Sequence, residues 1–293
     1  MKSMNRLKLE DRFNEFVFQN QRVLEHNYVD YLGINISASC GNELVFKIYY
    51  NDKASRFKSH PLIDFLESKG MIRYLTMVQD KKGDSKLRFD AGIKHRTNHN
   101  MMEVFEWLCN NTQIFAKNIT EIKKLSTMKV TNLENYDYAG LYFLGFISVD
   151  DKISVLKCHY FNRVCENPDV LHKKISFADD YYLEFLSKSG IREFEELTTL
   201  VKKTLKLCGG HLWMSGSDYS LTTFSKYKIY IKNPINIYEG LLDSFSEEKY
   251  EHLQKQICAV RNWNEQHMEF FCEGFAVCID EQEIMSINFY FKM

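Results

Sequence analysis

Residues 227–231 read Tyr-Lys-Ile-Tyr-Ile, a run of β-formers in which polar and apolar side chains alternate. Successive side chains of a strand point to opposite faces, so Lys228 and Tyr230 share one face while Tyr227, Ile229 and Ile231 share the other. The same alternation recurs three times. FKIYY sets Lys47 and Tyr49 against Phe46, Ile48 and Tyr50, and LKCHYF sets Lys157 and His159 against Leu156, Cys158 and Tyr160. INFYFKM sets Asn288, Tyr290 and Lys292 against Ile287, Phe289 and Phe291. Each strand therefore carries one basic or phenolic face and one apolar face.

Each run is the second half of a hairpin-like segment. The hairpins read as Leu32–Tyr50 (turn at Gly41-Asn42), Met71–Lys94 (turn 80–85), Leu141–Phe161 (turn at Asp150-Asp151), His211–Lys232 (turn near 217–220) and Gly274–Lys292 (turn 280–282). Helical spacing fills the gaps, over Asp11–Tyr31, a short helix from Pro61 to Lys69, Met101–Lys124, Asp180–Leu207 and Ile235–Phe271. The hairpins start at a loose regular spacing, as expected of one repeated unit. Helices alternating with hairpins need an apolar surface to pack on. If the hairpins join, their apolar faces meet helices outside and the Lys/Tyr faces point inward. The expectation is an α+β fold, a single ten-stranded antiparallel β-barrel built from αββα repeats and surrounded by helices. With no Pro/Gly/Ser linker in the chain, 1–293 reads as one domain. A two-layer sandwich of separate αββ units is the alternative.

Composition narrows the class. The 293 residues carry 38 Lys+Arg and 39 Asp+Glu, a net charge of −1, which excludes a protein that mainly coats nucleic acid or anionic lipid. No apolar run is long enough to span a membrane, and MKSMNRLKLEDRF has no signal-peptide core. A soluble cytoplasmic protein is expected. The eight cysteines have neither C-x-x-C nor zinc-finger spacing and read as reduced thiols.

A lumen lined by ammonium groups is tolerable only beside a polyanion, because like charges repel and burial strips their hydration. Diphosphate fits: lysines supply charge and phenols donate hydrogen bonds to its oxygens. Phenol faces also stabilise a carbocation through the ring quadrupole. The chemistry inferred is ionisation of an allylic diphosphate and capture of the cation by an aromatic acceptor, shielded from water. The residues assigned to diphosphate are Lys47, Tyr49, Arg88, Lys157, His159, Lys228, Tyr230, Tyr290 and Lys292. Trp213, on the first strand of its hairpin, is assigned to the prenyl or acceptor pocket.

The repeated K-x-Y and K-x-H second strands resemble the ABBA-fold aromatic prenyltransferases along essentially the whole chain. The segment Ile36–Cys40, LKCHYF and INFYFKM are similar to the cyanobactin-type peptide prenyltransferases. The resemblance implies transfer of a dimethylallyl or geranyl group from its diphosphate to an aromatic or nucleophilic side chain of a (cyclic) peptide. Alternatives are a small indole or phenol acceptor, or a non-catalytic barrel holding an anionic ligand. It further implies Mg²⁺ acting through the diphosphate, no protein-caged metal and no organic cofactor. The peptide branch has a Glu on the first strand as proton acceptor, and Ser37 stands there in this sequence. Ser is a poor base, and Glu43 is the nearest substitute.

Other motifs read as structural. Asp179-Asp180 suits a helix N-terminus, Gly209-Gly210 precedes a strand rather than a phosphate-binding helix, and Trp107 and Trp263 suit the helix–barrel core. The polar segment His95–His99 lacks a third ligand for a metal.

Overall fold

The structure is a computed structural model that describes residues 2–26, 28–39, 44–51, 60–80, 87–93, 98–112, 116–127, 141–149, 152–162, 164–166, 174–176, 179–220 and 225–293. The strands are β1 (Tyr28–Ser37), β2 (Val45–Asn51), β3 (Ile72–Asp80), β4 (Leu87–Ile93), β5 (Leu141–Val149), β6 (Lys152–Phe161), β7 (Val164–Glu166), β8 (Lys174–Ser176), β9 (His211–Ser220), β10 (Lys226–Lys232), β11 (Phe271–Asp280) and β12 (Met285–Lys292). The helices are α1 (Lys2–His26), α2 (Pro61–Ser68), α3 (Asn98–Asn111), α4 (Ala116–Thr127), α5 (Asp179–Ser187), α6 (Arg192–Cys208), α7 (Ile237–Ser244) and α8 (Glu251–Asn264).

Helices and strands combine in a large, curled antiparallel sheet with helices against its outer face. The strands hydrogen-bond in the order β1-β12-β11-β10-β9-β6-β5-β4-β3-β2, and β2 pairs back onto β1. The short pair β7-β8 stands apart and has no counterpart in the sequence reading. The apolar rows find the helices. Phe46, Ile48, Leu156, Tyr227, Ile229, Ile287, Phe289 and Phe291 are buried in one cluster with Phe13 and Phe16 of α1, Leu197 and Val201 of α6, and Leu253, Ile257 and Trp263 of α8. Each such side chain contributes about 1.5–3 kcal/mol on burial, so the barrel and helix layers are held together by the same residues. Trp263 packs edge-on against Phe291 and Phe13. Trp107, half-buried, stacks on Phe65. Among the described residues no helix is long and apolar enough to cross a membrane.

Several expected boundaries move. The first helix stops at His26, because Tyr28–Tyr31 already pair as strand with β2. The run Asp180–Leu207 splits at Gly190, whose φ of 74° is open to glycine at little cost. Met101–Lys124 and Ile235–Phe271 likewise split, into α3 and α4 and into α7 and α8, and Phe271 opens β11. Residues 217–220 are the end of β9, not its turn, since Ser217 and Asp218 pair with Tyr227 and Lys226. The turns expected at Gly41-Asn42, within 81–85 and at Asp150-Asp151 lie outside the described residues. Asp179 opens α5 and accepts hydrogen bonds from the Leu212 N–H (3.0 Å) and Asn162 Nδ2 (3.1 Å), a structural tie between helix and sheet. Gly209 and Gly210, both at positive φ, join α6 to β9. Of the segment 95–99, only Asn98 and His99 are described, opening α3. Cys109, Cys158, Cys208, Cys258, Cys272 and Cys278 are free thiols.

Candidate active site

The strand faces that turn away from the helices enclose a cavity of about 420 Å³. Lys47, Tyr49, Lys157, His159, Lys228, Tyr230 and Tyr290 all line it, as does Trp213. Alternation brings the lysines, His159 and the tyrosines together, since each belongs to the polar row of its strand. Tyr290 is the hub of the aromatic wall, with ring centroids 5.7 Å from Tyr49, 5.8 Å from Tyr230 and 6.5 Å from Tyr31. His159 meets Tyr230 edge-on at 5.7 Å and Phe143 at 6.0 Å. Two glycines make room for this wall. A Cβ on Gly33 would lie 2.8 Å from Tyr49 Cε2, and one on Gly216 would lie 3.0 Å from His159 Nδ1. Met214, Ala276 and Cys278 join Tyr230 in a small apolar cluster on this inner side, separate from the helix-facing core.

Not every assigned residue arrives. Lys292 is exposed and lies outside the cavity lining, because it ends β12 beyond the last phenol of its row. Ser37 is buried but does not line the cavity; its N–H donates to Gln256 Oε1 of α8 and its Oγ accepts from the Ser39 N–H. Arg88 pairs with Ile147 in the sheet, but its side chain lies outside the described residues, as does Glu43 altogether.

Electrostatics modify the picture of bare ammonium groups. Lys228, only 7% exposed, is ion-paired with Asp218, 14% exposed. Burial raises the Asp218 pKa, but the Lys228 and Lys157 charges outweigh it and hold the carboxyl at about 2. The cavity's cationic end is thus a lysine cluster around one buried carboxylate. Burial lowers the His159 pKa to about 4, with Asp90 opposing and Lys228 adding to the fall, so the imidazole is neutral near pH 7. Burial keeps the Tyr230 and Tyr290 phenols protonated, hence hydrogen-bond donors.

The sequence reading did not assign a second group of lining residues: Asp30, Tyr31, Lys232, Glu273 and Asp90. Three β-bulges explain part of this. The registers slip between Val29 and Tyr31, between Cys272 and Gly274, and on β9 where Tyr230 pairs with Met214 but Ile231 with Leu212. The extra residues are Asp30, Glu273 and Trp213, and all three line the cavity, since a bulge re-aims the side chain it inserts. A Cβ on Gly274 would lie 2.4 Å from the Ile231 carbonyl oxygen, so the bulge on β11 needs glycine. Glycine inside a strand was the available sequence signal. Among the described residues, no group of three or more His, Cys, Asp or Glu side chains is placed to hold a metal ion.

No family model matches the chain, and no curated protein sequence matches it. Solved structures do. AnaPT from Neosartorya fischeri aligns with a TM-score of 0.58 at 12% identity, over 90% of this chain and 78% of its own. NotF in complex with brevianamide F and DMSPP gives 0.58 at 10% identity, over 90% and 79%. PriB in a binary complex with product diphosphate gives 0.51 at 10% identity, over 89% and 79%. This chain has the fold of prenyltransferases. At such identities the likeness is one of fold and does not sort the branches of substrate choice.

Proposed function

We propose that the protein is an aromatic prenyltransferase that ionises dimethylallyl or geranyl diphosphate and transfers the prenyl group to an aromatic or nucleophilic side chain of a peptide. The observation that carries this reading is the convergence of Lys47, Lys157 and Lys228 with Tyr49, Tyr230 and Tyr290 on one cavity. The C1–O bond of the donor breaks and its electron pair leaves with the diphosphate, whose charge the lysines balance and whose oxygens accept from phenols and ammonium groups. The Tyr49–Tyr290–Tyr230 wall then faces the allylic cation. An acceptor atom bonds to C1, and the acceptor loses one proton. The fold shared with NotF, solved with brevianamide F and DMSPP, and with PriB, solved with product diphosphate, supports this reading.

The peptide acceptor rests on the likeness of LKCHYF and INFYFKM to the cyanobactin-type enzymes. A small indole or phenol is the competing acceptor. We further propose that Mg²⁺ enters bound to the diphosphate, since it commonly keeps its water and phosphate ligands and needs few from protein. Asp90 is a hard oxygen donor that the cavity offers to such a complex.

The test is turnover. The protein is incubated with dimethylallyl or geranyl diphosphate and a panel of Tyr-, Trp- and His-containing cyclic peptides, free tryptophan and simple phenols. A prenyl mass increment on a peptide supports the reading, and one only on tryptophan or a phenol moves the acceptor class. No increment, with diphosphate binding retained, makes the barrel an anion-binding module. Undiminished single-turnover rates in excess chelator would remove Mg²⁺ from the scheme.

A further inference from the structure

We infer that Tyr31 takes the acceptor's proton and passes its own to Glu273, so that Tyr31 is a catalytic residue and Glu273 the carboxylate that drives it. The inference rests on the prenyl-transfer reading and supplies the proton-accepting step, for which a serine hydroxyl is a poor base.

A bulge brings Glu273 into the cavity, and Tyr31 stands next to a second bulge, in phase with the inward-facing Gly33. Glu273 is the inserted residue of the β11 bulge, and Tyr31 follows the inserted Asp30 of the β1 bulge. The Tyr31 hydroxyl donates to Glu273 Oε2, and the other carboxylate oxygen receives Lys232 Nζ at 3.2 Å. Lys232 Nζ also stands 4.7 Å over the Trp213 ring. On its other side, Tyr31 meets Tyr290 edge-on, at the end of the Tyr49–Tyr290–Tyr230 wall. The cavity therefore has a cation-stabilising wall, and immediately beyond it a phenol hydrogen-bonded to a carboxylate. Trp213 lines the same cavity and offers a ring against which an acceptor would lie.

Other carboxylates are less suited. Asp218 is committed to Lys228. Asp90 acts electrostatically on His159 and Tyr230, on the lysine-rich side where diphosphate is proposed to sit. Burial, then the hydrogen bond to Glu273, hold the Tyr31 pKa well above its ordinary value, and Asp30 adds to this. Tyr31 accordingly keeps its proton until it can hand it on, which suits a relay and not a stored phenolate.

The step balances. The acceptor's bond to hydrogen breaks and its electron pair returns to the acceptor. The proton goes to the Tyr31 oxygen as the Tyr31 O–H proton moves to Glu273, leaving a neutral phenol and a carboxylic acid. The carboxylate is regenerated when that proton passes to water, with the Lys232 ammonium balancing its charge.

Dimethylallyl diphosphate, a cyclic peptide bearing Tyr and Trp, and free tryptophan serve as probes. Diphosphate release, prenylated acceptor and dimethylallyl alcohol are measured for the wild type, Glu273→Gln, Glu273→Asp and Tyr31→Phe. General-base loss is expected to lower prenylated acceptor roughly 10²–10⁴-fold in Glu273→Gln and Tyr31→Phe. Diphosphate release should persist, with the cation ending as dimethylallyl alcohol, and Glu273→Asp should recover part of the transfer. Each variant must keep the melting-temperature rise caused by inorganic diphosphate, which shows that it is folded and still binds the anion. Wild-type-like transfer in Glu273→Gln overturns the inference, and so does parallel loss of diphosphate release or of the diphosphate-induced rise, which marks a structural strut. A wild type that prenylates neither probe overturns the transfer reading itself and this inference with it.

Discussion

Lys228 of β10 and Asp218 of β9 form a buried ion pair inside the barrel, diagonal across a register in which Lys228 faces Gly216 and Asp218 faces Lys226. This pair changes what substitution of a cavity lysine does. Lys228→Met leaves the Asp218 carboxylate in a buried site with Lys157 as its remaining cationic neighbour. Breaking a buried pair from one side costs about 3–5 kcal/mol, and the second lysine places the expected loss near the lower bound. Thermal melts should show a clear drop for Lys228→Met and recovery of most of it in the Lys228→Met/Asp218→Asn double variant. Equal melting temperatures for the wild type and Lys228→Met would refute the strut.

Lys157 separates binding from folding. It sits opposite Asp218 in the β6–β9 register and lines the cavity. A charge-assisted hydrogen bond contributes about 1.5–3 kcal/mol, so Lys157→Met should lower kcat/KM roughly 10–150-fold. The melting-temperature rise on adding inorganic diphosphate should shrink in the same variant. A full diphosphate response would remove Lys157 from the site.

His159 gives a pH signature. Its folded pKa of about 4 lies below the ordinary 6.5, so between these values the unfolded chain binds a proton that the folded chain does not. Its stabilising contribution is complete above about pH 6.5 and is lost as pH falls toward 4, with a slope of up to about 1.4 kcal/mol per pH unit. His159→Asn should flatten denaturation midpoints across that window. Bound diphosphate should flatten it too in the wild type, because a nearby anion favours the imidazolium. An unchanged slope in His159→Asn would refute the assignment.

The second-strand rows were legible because burial acts on every alternate residue. Phe46, Ile48, Ile229 and Phe289 must meet helices, so Lys47, Tyr49, Lys228 and Tyr230 had nowhere to go but the lumen. Helix ends and breaks were less so: Tyr28–Tyr31 continues the apolar spacing of α1, and only pairing with β2 makes it strand. Asp218 was hidden because Ser217–Ser220 has turn composition, yet long-range pairing with β6 and β10 keeps it extended. Glu273 and Asp30 owe their positions to bulges, and a bulge breaks the two-residue period on which the reading depends. Lys292 shows the opposite error, a period continued past the end of the cavity.

Gly33→Ala should reshape the cavity with little loss of fold. Its Cβ would meet the outer edge of the Tyr49 ring at 2.8 Å and Lys47 Cβ at 3.4 Å. The ring end can swing into the lumen, so strain relaxes there at a cost of about 1 kcal/mol, the lower end for overpacking. Transfer should fall more for geranyl than for dimethylallyl diphosphate, because the longer chain needs the lost space. Equal losses for both donors would show that Tyr49 does not border the prenyl chain.

Gly274→Ala should behave differently, because the obstruction is backbone. The new Cβ would lie 2.4 Å from the Ile231 carbonyl oxygen and 3.3 Å from Lys232 Cα, atoms held in register by the β10–β11 ladder. No side-chain rotation relieves that contact, so β11 must shift or the bulge must open. Overpacking of this kind costs about 1–3 kcal/mol, which should appear as a melting temperature lower by several degrees. A shift in the bulge also moves Glu273 relative to Tyr31 and Lys232, while Lys157 and Lys228 stay on undisturbed parts of their strands. Prenyl transfer should therefore fall further than the diphosphate-induced rise in melting temperature. Loss of both in equal proportion would show that the bulge supports the barrel as a whole and has no special hold on Glu273.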